Sequence, residues 1–371
     1  MYKNLAFVCV CLAVLFLSCG KKKEEVKKEE VIKIGAILPL SGDNAQYGIW
    51  IKEGLDLKTD LINDGGGING KKLEILYEDD QAKAPQAANA MQKLANVDKV
   101  PIVFGSWASS AALAEAPIAE ASKVVVMAVA ISPKIRDAGD YIFRIQPDAR
   151  YYIKALVPFI IDSLKLKTAC VLYVNNDFGV DQKDVFKTEF EKLGGTVLST
   201  EEFKQGGTDF RTQLLKMKAK KPTCIFIPAY VEAGYILKQA KEMGINTQFI
   251  GSIPFENPDI LEIAGDAAEG VIFPHHFDQG SLDTLVMQYQ KAYFEKYARN
   301  SEGFAALAYD GLTAIVEVIK KCGATGSCIK DELYKIKDLP GVTGTTTFDD
   351  HGDVVKPILI KVVKDGAFKR Y

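Results

Sequence analysis

From Val31 onward, short apolar runs rich in β-branched residues alternate with longer stretches whose apolar positions recur at helical spacing. That alternation predicts βαβ units around a parallel sheet. The first strand is expected over Ile32–Leu38. A helix over 45–63 then carries Tyr47, Ile51, Leu55 and Ile62 on one face and ends at Gly65-Gly66-Gly67. Strands follow at 73–77, 101–104 and 124–127, with a helix opened by Pro85 and another over 111–121 between them.

The pattern restarts after Arg144-Ile145-Gln146-Pro147. Helices are expected at 151–164, 182–193, 210–219 and 232–243, with strands at 169–174, 196–199, 224–227, 248–251 and 271–273. Two long helices, 282–298 and 304–320, precede extended segments over 345–348 and 354–363. The fold class is therefore α/β, with two successive open sheets.

Composition narrows the picture. A chain of 371 residues is long enough for two domains, and a net charge of -2 gives no basic surface for nucleic acid. The longest apolar run, Leu5–Leu17, has thirteen residues, too short to span a bilayer as a helix. With Lys3 before it and Ser18-Cys19-Gly20 after it, the run resembles a bacterial lipoprotein signal. The resemblance implies cleavage before Cys19 and acylation of its thiol; ordinary secretory cleavage nearby is the alternative. Residues 19–30, with lysine and glutamate blocks and Val26 as the lone apolar residue after the start, read as a solvated tether. Cys322 and Cys328 flank a Gly-rich turn and are close enough to bridge in an oxidising compartment, whereas Cys170 and Cys224 read as buried thiols.

Several apparent motifs fail on context. Gly65-Gly66-Gly67-Ile68-Asn69-Gly70 fits a dinucleotide fingerprint, but it follows a helix and precedes a strand, the reverse of the required order. Asp177-Phe178-Gly179 has no catalytic loop to accompany it. His275, His276 and His351 are too few and scattered for a metal site or a triad, and the adjacent pair is not expected to share a face. No catalytic residue, metal or cofactor is expected.

What remains lies at the C-terminal ends of the strands, where open α/β sheets hold ligands. These are residues 41–47, 105–110 and 129–132 (Ala130 and Ile131 among them) in the first half, and 175–178, 228–230 and 252–255 in the second. Ser109 and Ser110 open a helix, and hydroxyls and amides there suit a carboxylate. The competing reading is that Ser109 only caps that helix.

The strings LSGDNAQYG at 40–48, INDGGGINGKKLEILYEDDQ at 62–81, GSWASS at 105–110, LKQAKEMGI at 237–245 and GDAAEGV at 265–271 together resemble the leucine/isoleucine/valine-binding proteins, the type I substrate-binding proteins of amino-acid ABC importers. The resemblance covers about Val31 to Phe368. It implies two Rossmann-like lobes, 31–146 plus 277–347 and 147–276 plus 348–371, joined by hinge strands near 145–147, 273–276 and 344–347. Tyr47, Trp107, Ser109, Phe178 and Tyr230 occupy ligand-contact positions of that family, with the aromatic four forming flat walls at the cleft surface. Where the family places a threonine for the amino-acid head this chain has Ile131, and where it places a glutamate for the ammonium it has Ile253; Glu256 or Asp177 could take over that role.

The implied function is a non-enzymatic, extracytoplasmic, lipid-anchored, monomeric binding protein that passes a small carboxylate ligand to permease and ATPase subunits. The ligand is a branched-chain or other amino acid, or an apolar or aromatic acid; a sensor signalling through a partner protein is the alternative. The anchor is directly testable. Cys19→Ala should release the mature protein from salt-washed membranes or leave it as an unprocessed precursor, and a variant that still fractionates with membranes at unchanged mobility would refute lipidation.

Overall fold

The computed structural model describes residues 30–371; the leader and most of the tether, Cys19 included, lie outside the described residues. Strands β1 (Val31–Leu38), β2 (Lys72–Asp79), β3 (Ile102–Gly105), β4 (Val125–Ala128) and β5 (Ile142–Arg144) form an all-parallel sheet in the order β2-β1-β3-β4-β5. β3 and β4 are buried at every position, as strands covered by helices on both faces must be. Helices α1 (Ala45–Asp64), α2 (Ala84–Asn96) and α3 (Ser109–Ser122) make its crossovers.

The second sheet has seven strands. β6 (Thr168–Val174), β7 (Thr196–Phe203), β8 (Cys224–Ile227), β9 (Gln248–Gly251) and β10 (Ile272–His275) are parallel, and β11 (Leu359–Lys364) and β12 (Ala367–Arg370) complete one edge antiparallel. Around it lie α4 (Ala149–Pro158), α5 (Asp177–Lys192), α6 (Arg211–Lys220), α7 (Glu232–Glu242) and α8 (Pro258–Ala264). Helices α9 (Thr284–Tyr297), α10 (Gly303–Cys322) and α11 (Gly326–Leu333) return to the first sheet. The close packing of α10 depends on two glycines: a Cβ on Gly54 would sit 2.1 Å from the Ala305 carbonyl oxygen, and one on Gly311 would sit 2.6 Å from the Phe104 ring. The turn after α10 is closed by a disulfide between Cys322 and Cys328, with Cα atoms 6.0 Å apart. Cys170 and Cys224 are buried free thiols.

Three differences from expectation have local causes. β5 escapes a periodicity reading because it is three residues long and ends in an arginine. The rings of His275 and His276 stack, 4.5 Å apart, because β10 ends at His275 and strand alternation stops there. Residues 348–354 fasten to the first sheet rather than the second: Phe348 packs against Phe143, Arg144 N donates to the Gly352 carbonyl at 2.8 Å, and Arg136 Nη1 donates to Asp349 and Asp353. The third crossing therefore lies after Val354, later than the expected 344–347.

One apolar cluster runs from the first sheet through the space between the sheets into the second, while a smaller one packs α4 and α5 on the far face of β6 and β8. At the first crossing Arg144 is fully buried. Its Nε donates to Asp353 at 2.9 Å, its Nη1 to the Ser132 carbonyl at 2.7 Å, and Asp148 lies 3.6 Å away. Arg144→Leu would remove the buried cation between these carboxylates, leaving Asp353 with Arg136 alone and Asp148 with Arg150. We expect a loss on the order of 3 kcal/mol in urea unfolding, partly recovered by adding Asp353→Leu; an unchanged midpoint would show the network to be dispensable.

Candidate functional site

The loops at the strand ends are held rigidly. After β1, Leu40 N donates to Asp79 at 2.8 Å, which aims the chain into α1. After β3, the Ser106 hydroxyl lies 2.6 Å from Asp80 and also contacts Glu115 of α3, and all three side chains are buried. A hydroxyl has one proton and cannot serve two carboxylates, so one carboxyl must carry its own. Burial pushes Glu115 up to about 8, and although Ser106 pulls against this, the neighbouring Asp80 charge adds to it. Glu115 is thus the protonated member.

This anchored loop delivers Ser109 and Ser110 to the start of α3. Ala108 occupies the cap position and no side chain caps the helix, so Ser109 is not a cap. Its Oγ instead accepts from Ser132 N at 3.2 Å, joining the loops after β3 and β4. Ser110 faces the other sheet, where its hydroxyl meets Asp177 at the start of α5. Partial burial works against ionisation there, yet hydrogen bonds from Lys134 (2.9 Å) and Ser110 hold the Asp177 carboxyl below its ordinary value. Ser132 likewise donates to Asp181 of α5.

Four aromatic rings cross the same space. Tyr47 stacks on Trp107 at 4.3 Å, Trp107 tilts against Tyr230 at 4.8 Å, and Tyr230 stacks on Phe178 at 4.6 Å. The Tyr47 hydroxyl donates across the gap to the Pro254 carbonyl at 2.7 Å. Tyr230 is positioned by Glu232, which accepts from its backbone N–H at 3.1 Å. Trp107 and Tyr230 were expected at the cleft surface; they are 6% and 2% exposed because each is covered by groups of the opposite sheet.

Between these rings is a cavity of about 10 Å³, room for about one water. Trp107, Val129 and Ile131 line it from the first sheet, with Phe304 from the start of α10. Phe178, Tyr230, Ile253 and Pro254 line it from the second, and Gln146 from the first crossing. Tyr47, Ser109, Ser110 and Ala130 stand outside this lining, Tyr47 behind Trp107 and the serines at the start of α3. Both isoleucines at the altered family positions face the chamber, and none of its lining residues is ionisable as an acid or base except Tyr230. Glu256 is not free to replace the missing glutamate, since both its oxygens accept from Lys361, at 2.6 and 2.7 Å. Asp177 reaches the start of α3 but is already paired with Lys134. Gln146 and Phe304 were missed as site residues. The signal for Gln146 was a neutral polar residue between Ile145 and Pro147 in a segment of otherwise apolar residues and one arginine, and for Phe304 the Ser301-Glu302 pair before it, since Glu302 caps α10 by accepting from Phe304 N and Ala305 N.

Residues 31–367 match the family described as periplasmic binding protein. The chain belongs to this family. It is 30% identical over 330 residues to the leucine-, isoleucine-, valine-, threonine- and alanine-binding protein of Pseudomonas aeruginosa, covering 88% of this chain and 87% of that one. Among solved structures it resembles the branched-chain amino acid transporter substrate binding protein of Streptococcus pneumoniae in complex with isoleucine, at 29% identity, TM-score 0.86 and coverage of 92% and 99%. It also resembles an ABC-transporter solute binding protein of Rhodopseudomonas palustris in complex with 3,4-dihydroxy benzoic acid, at 26% identity, TM-score 0.82 and coverage of 92% and 96%. A periplasmic binding protein of this type acts outside the cytoplasm in an ABC-transporter context, binds a small molecule between two lobes and is not an enzyme.

The buried acid beneath the site of this periplasmic binding protein has a signature in pH. Glu115 rises from 4.5 to about 8 on folding, so its proton favours the folded state fully below the unfolded value and progressively less as pH climbs toward 8. Glu115→Gln removes that loss. The stability of the variant relative to the parent, from urea unfolding, should increase between pH 5 and pH 8; a difference independent of pH would show that Glu115 does not hold the proton.

Proposed function

We propose that this periplasmic binding protein captures a small carboxylate with an apolar or aromatic body and no α-ammonium, by closing residues 147–276 and the segment after Val354 onto residues 31–146 and 277–354. It delivers the ligand to an ABC permease while tethered through lipidated Cys19. The observation that carries the ligand class is the pairing of an uncapped α3 start, where the Ser109 hydroxyl keeps its proton to donate, to a chamber whose lining offers no carboxylate. An ammonium buried without an anion is penalised by several kcal/mol, whereas an apolar body gains on the order of 25 cal/mol per Å² buried. The two ligands named in the related structures, isoleucine and 3,4-dihydroxy benzoic acid, bracket the choice.

The closed arrangement supports capture by lobe closure. The contacts of Tyr47 with Pro254, Ser110 with Asp177, Ser132 with Asp181 and Trp107 with Tyr230 all join groups on opposite sheets. A ligand inserted among them touches both sets only when the lobes are together, so it binds the closed state selectively.

Titration calorimetry of leucine, 4-methylpentanoate and benzoate tests the ligand class. At least one of the two acids should bind more than about tenfold tighter than leucine, a difference of about 1.4 kcal/mol. Leucine binding as tightly as both acids would return the protein to the amino-acid binders.

A further inference from the structure

Gln146 is the polar group of the chamber whose orientation is fixed from behind. It follows β5 in the first crossing and is buried, and its amide leads into a chain of buried hydrogen bonds. His276 Nε2 lies 3.2 Å from the carbonyl oxygen of Gly303, an atom that only accepts. Burial, with smaller contributions from its neighbours, holds the His276 imidazole well below its ordinary value, so at neutral pH the ring has one proton and it resides on Nε2. Nδ1 is then an acceptor. The Tyr152 hydroxyl, 2.7 Å away, must donate to it. That leaves the Tyr152 oxygen with lone pairs alone, and the Gln146 atom 3.3 Å from it is accordingly the amide nitrogen.

The sense of this relay decides what the chamber presents. With Nε2 turned toward Tyr152, Oε1 is the other end of the amide. It is buried and accepts no hydrogen bond from the protein. Gln146 lines the chamber beside Trp107, Ile131, Phe178 and Ile253, whose walls are apolar. Buried acceptors are seldom left without a donor, and the residue that carries this one lines the space a ligand must enter.

We propose that Gln146 determines specificity by reading a hydroxyl group, so that the carboxylate captured in the cleft is a hydroxy acid, aliphatic or phenolic, whose O–H donates to Oε1. This rests on the carboxylate reading above. A hydroxyl suits the site better than an ammonium: it needs one acceptor and no counter-charge, and Oε1 supplies one acceptor among walls without a carboxylate. A site built to hydrogen-bond a substrate hydroxyl discriminates strongly against the analogue that lacks it, because the buried acceptor is then left unpaired.

Matched ligands test this by calorimetry on the full mature protein: 4-methylpentanoate against 2-hydroxy-4-methylpentanoate and leucine, and benzoate against 3- and 4-hydroxybenzoate. In at least one series the hydroxylated acid should bind tenfold or more tighter than its parent, and the series in which it does so distinguishes aliphatic from phenolic ligands. Gln146→Leu should bring that ratio close to one, because the parent acid no longer leaves a buried acceptor unpaired and the hydroxylated acid loses its partner. Tyr152→Phe, which keeps Oε1 but frees the amide to turn, should reduce the ratio without abolishing binding, an effect that a purely structural role would not produce. Thermal melting checks that each variant folds; if Gln146→Leu does not, the wild-type ratios and Tyr152→Phe decide. Ratios near one in both series while the parent acids bind, as when a water is the partner of Oε1, would overturn the inference and leave the carboxylate reading standing. Leucine binding at least as tightly as every acid, or no acid binding at all, would remove both.

Discussion

The aromatic seam between the two sheets is the contact on which the rest of the molecule depends. Tyr47, Trp107, Tyr230 and Phe178 form three consecutive ring pairs, one within each lobe and the middle one bridging the gap. Each such pair contributes about 0.5–1.5 kcal/mol beyond its buried area, so the bridging pair alone is modest beside the several kcal/mol that separate conformations in a two-state protein. The polar contacts that accompany it, Tyr47 to Pro254 and Ser132 to Asp181, fix direction more than strength. Closure without a ligand is therefore shallow by construction. A guest that slides between the rings replaces one set of apolar contacts with another and has to add something the bare seam lacks.

Much of the architecture was legible in the sequence because parallel strands covered on both faces read as uninterrupted apolar runs. The runs at 101–104 and 224–227 stood out for that reason, and the glycine-rich stop after α1 fixed its end. Short elements were lost. β5 is three residues, α8 and α11 begin at Pro258 and Gly326 in stretches that read as turns, and the first turn of α5 was hidden by Asn176, whose side chain caps it by accepting from Gly179 N at 3.1 Å. Elements shorter than two helical turns carry too few positions for a period to show.

The site divides along the same line. Residues at strand ends, among them Trp107, Ile131, Phe178, Tyr230 and Ile253, were found because topology alone puts them in the crevice. Gln146 and Phe304 were not, because their importance comes from partners far away in the chain: Tyr152 meets His276 across 124 positions, and His276 meets Gly303 across 27. The burial of the aromatic walls was missed for a different reason. A sequence specifies two lobes and their facing surfaces, but how far apart the surfaces stand depends on a small free-energy difference that no local pattern encodes. The position of the 348–354 segment was missed likewise, since it is set by Arg136, Phe143 and Arg144, partners some two hundred positions away in the chain.

Gln146 sits on a segment that joins the lobes, and this has a mechanical consequence. When two bodies rotate about a common line, each atom travels in proportion to its distance from that line. Phe178 and Tyr230, carried by the second sheet, are displaced relative to Trp107 in such a rotation, whereas a side chain carried by the pivot itself is displaced less. If Gln146 reads the ligand as proposed, it can do so at first encounter, before the lobes shut; rejection of a wrong guest would then require only that it diffuse away, and the slower swing of the lobes would be reserved for guests already sorted.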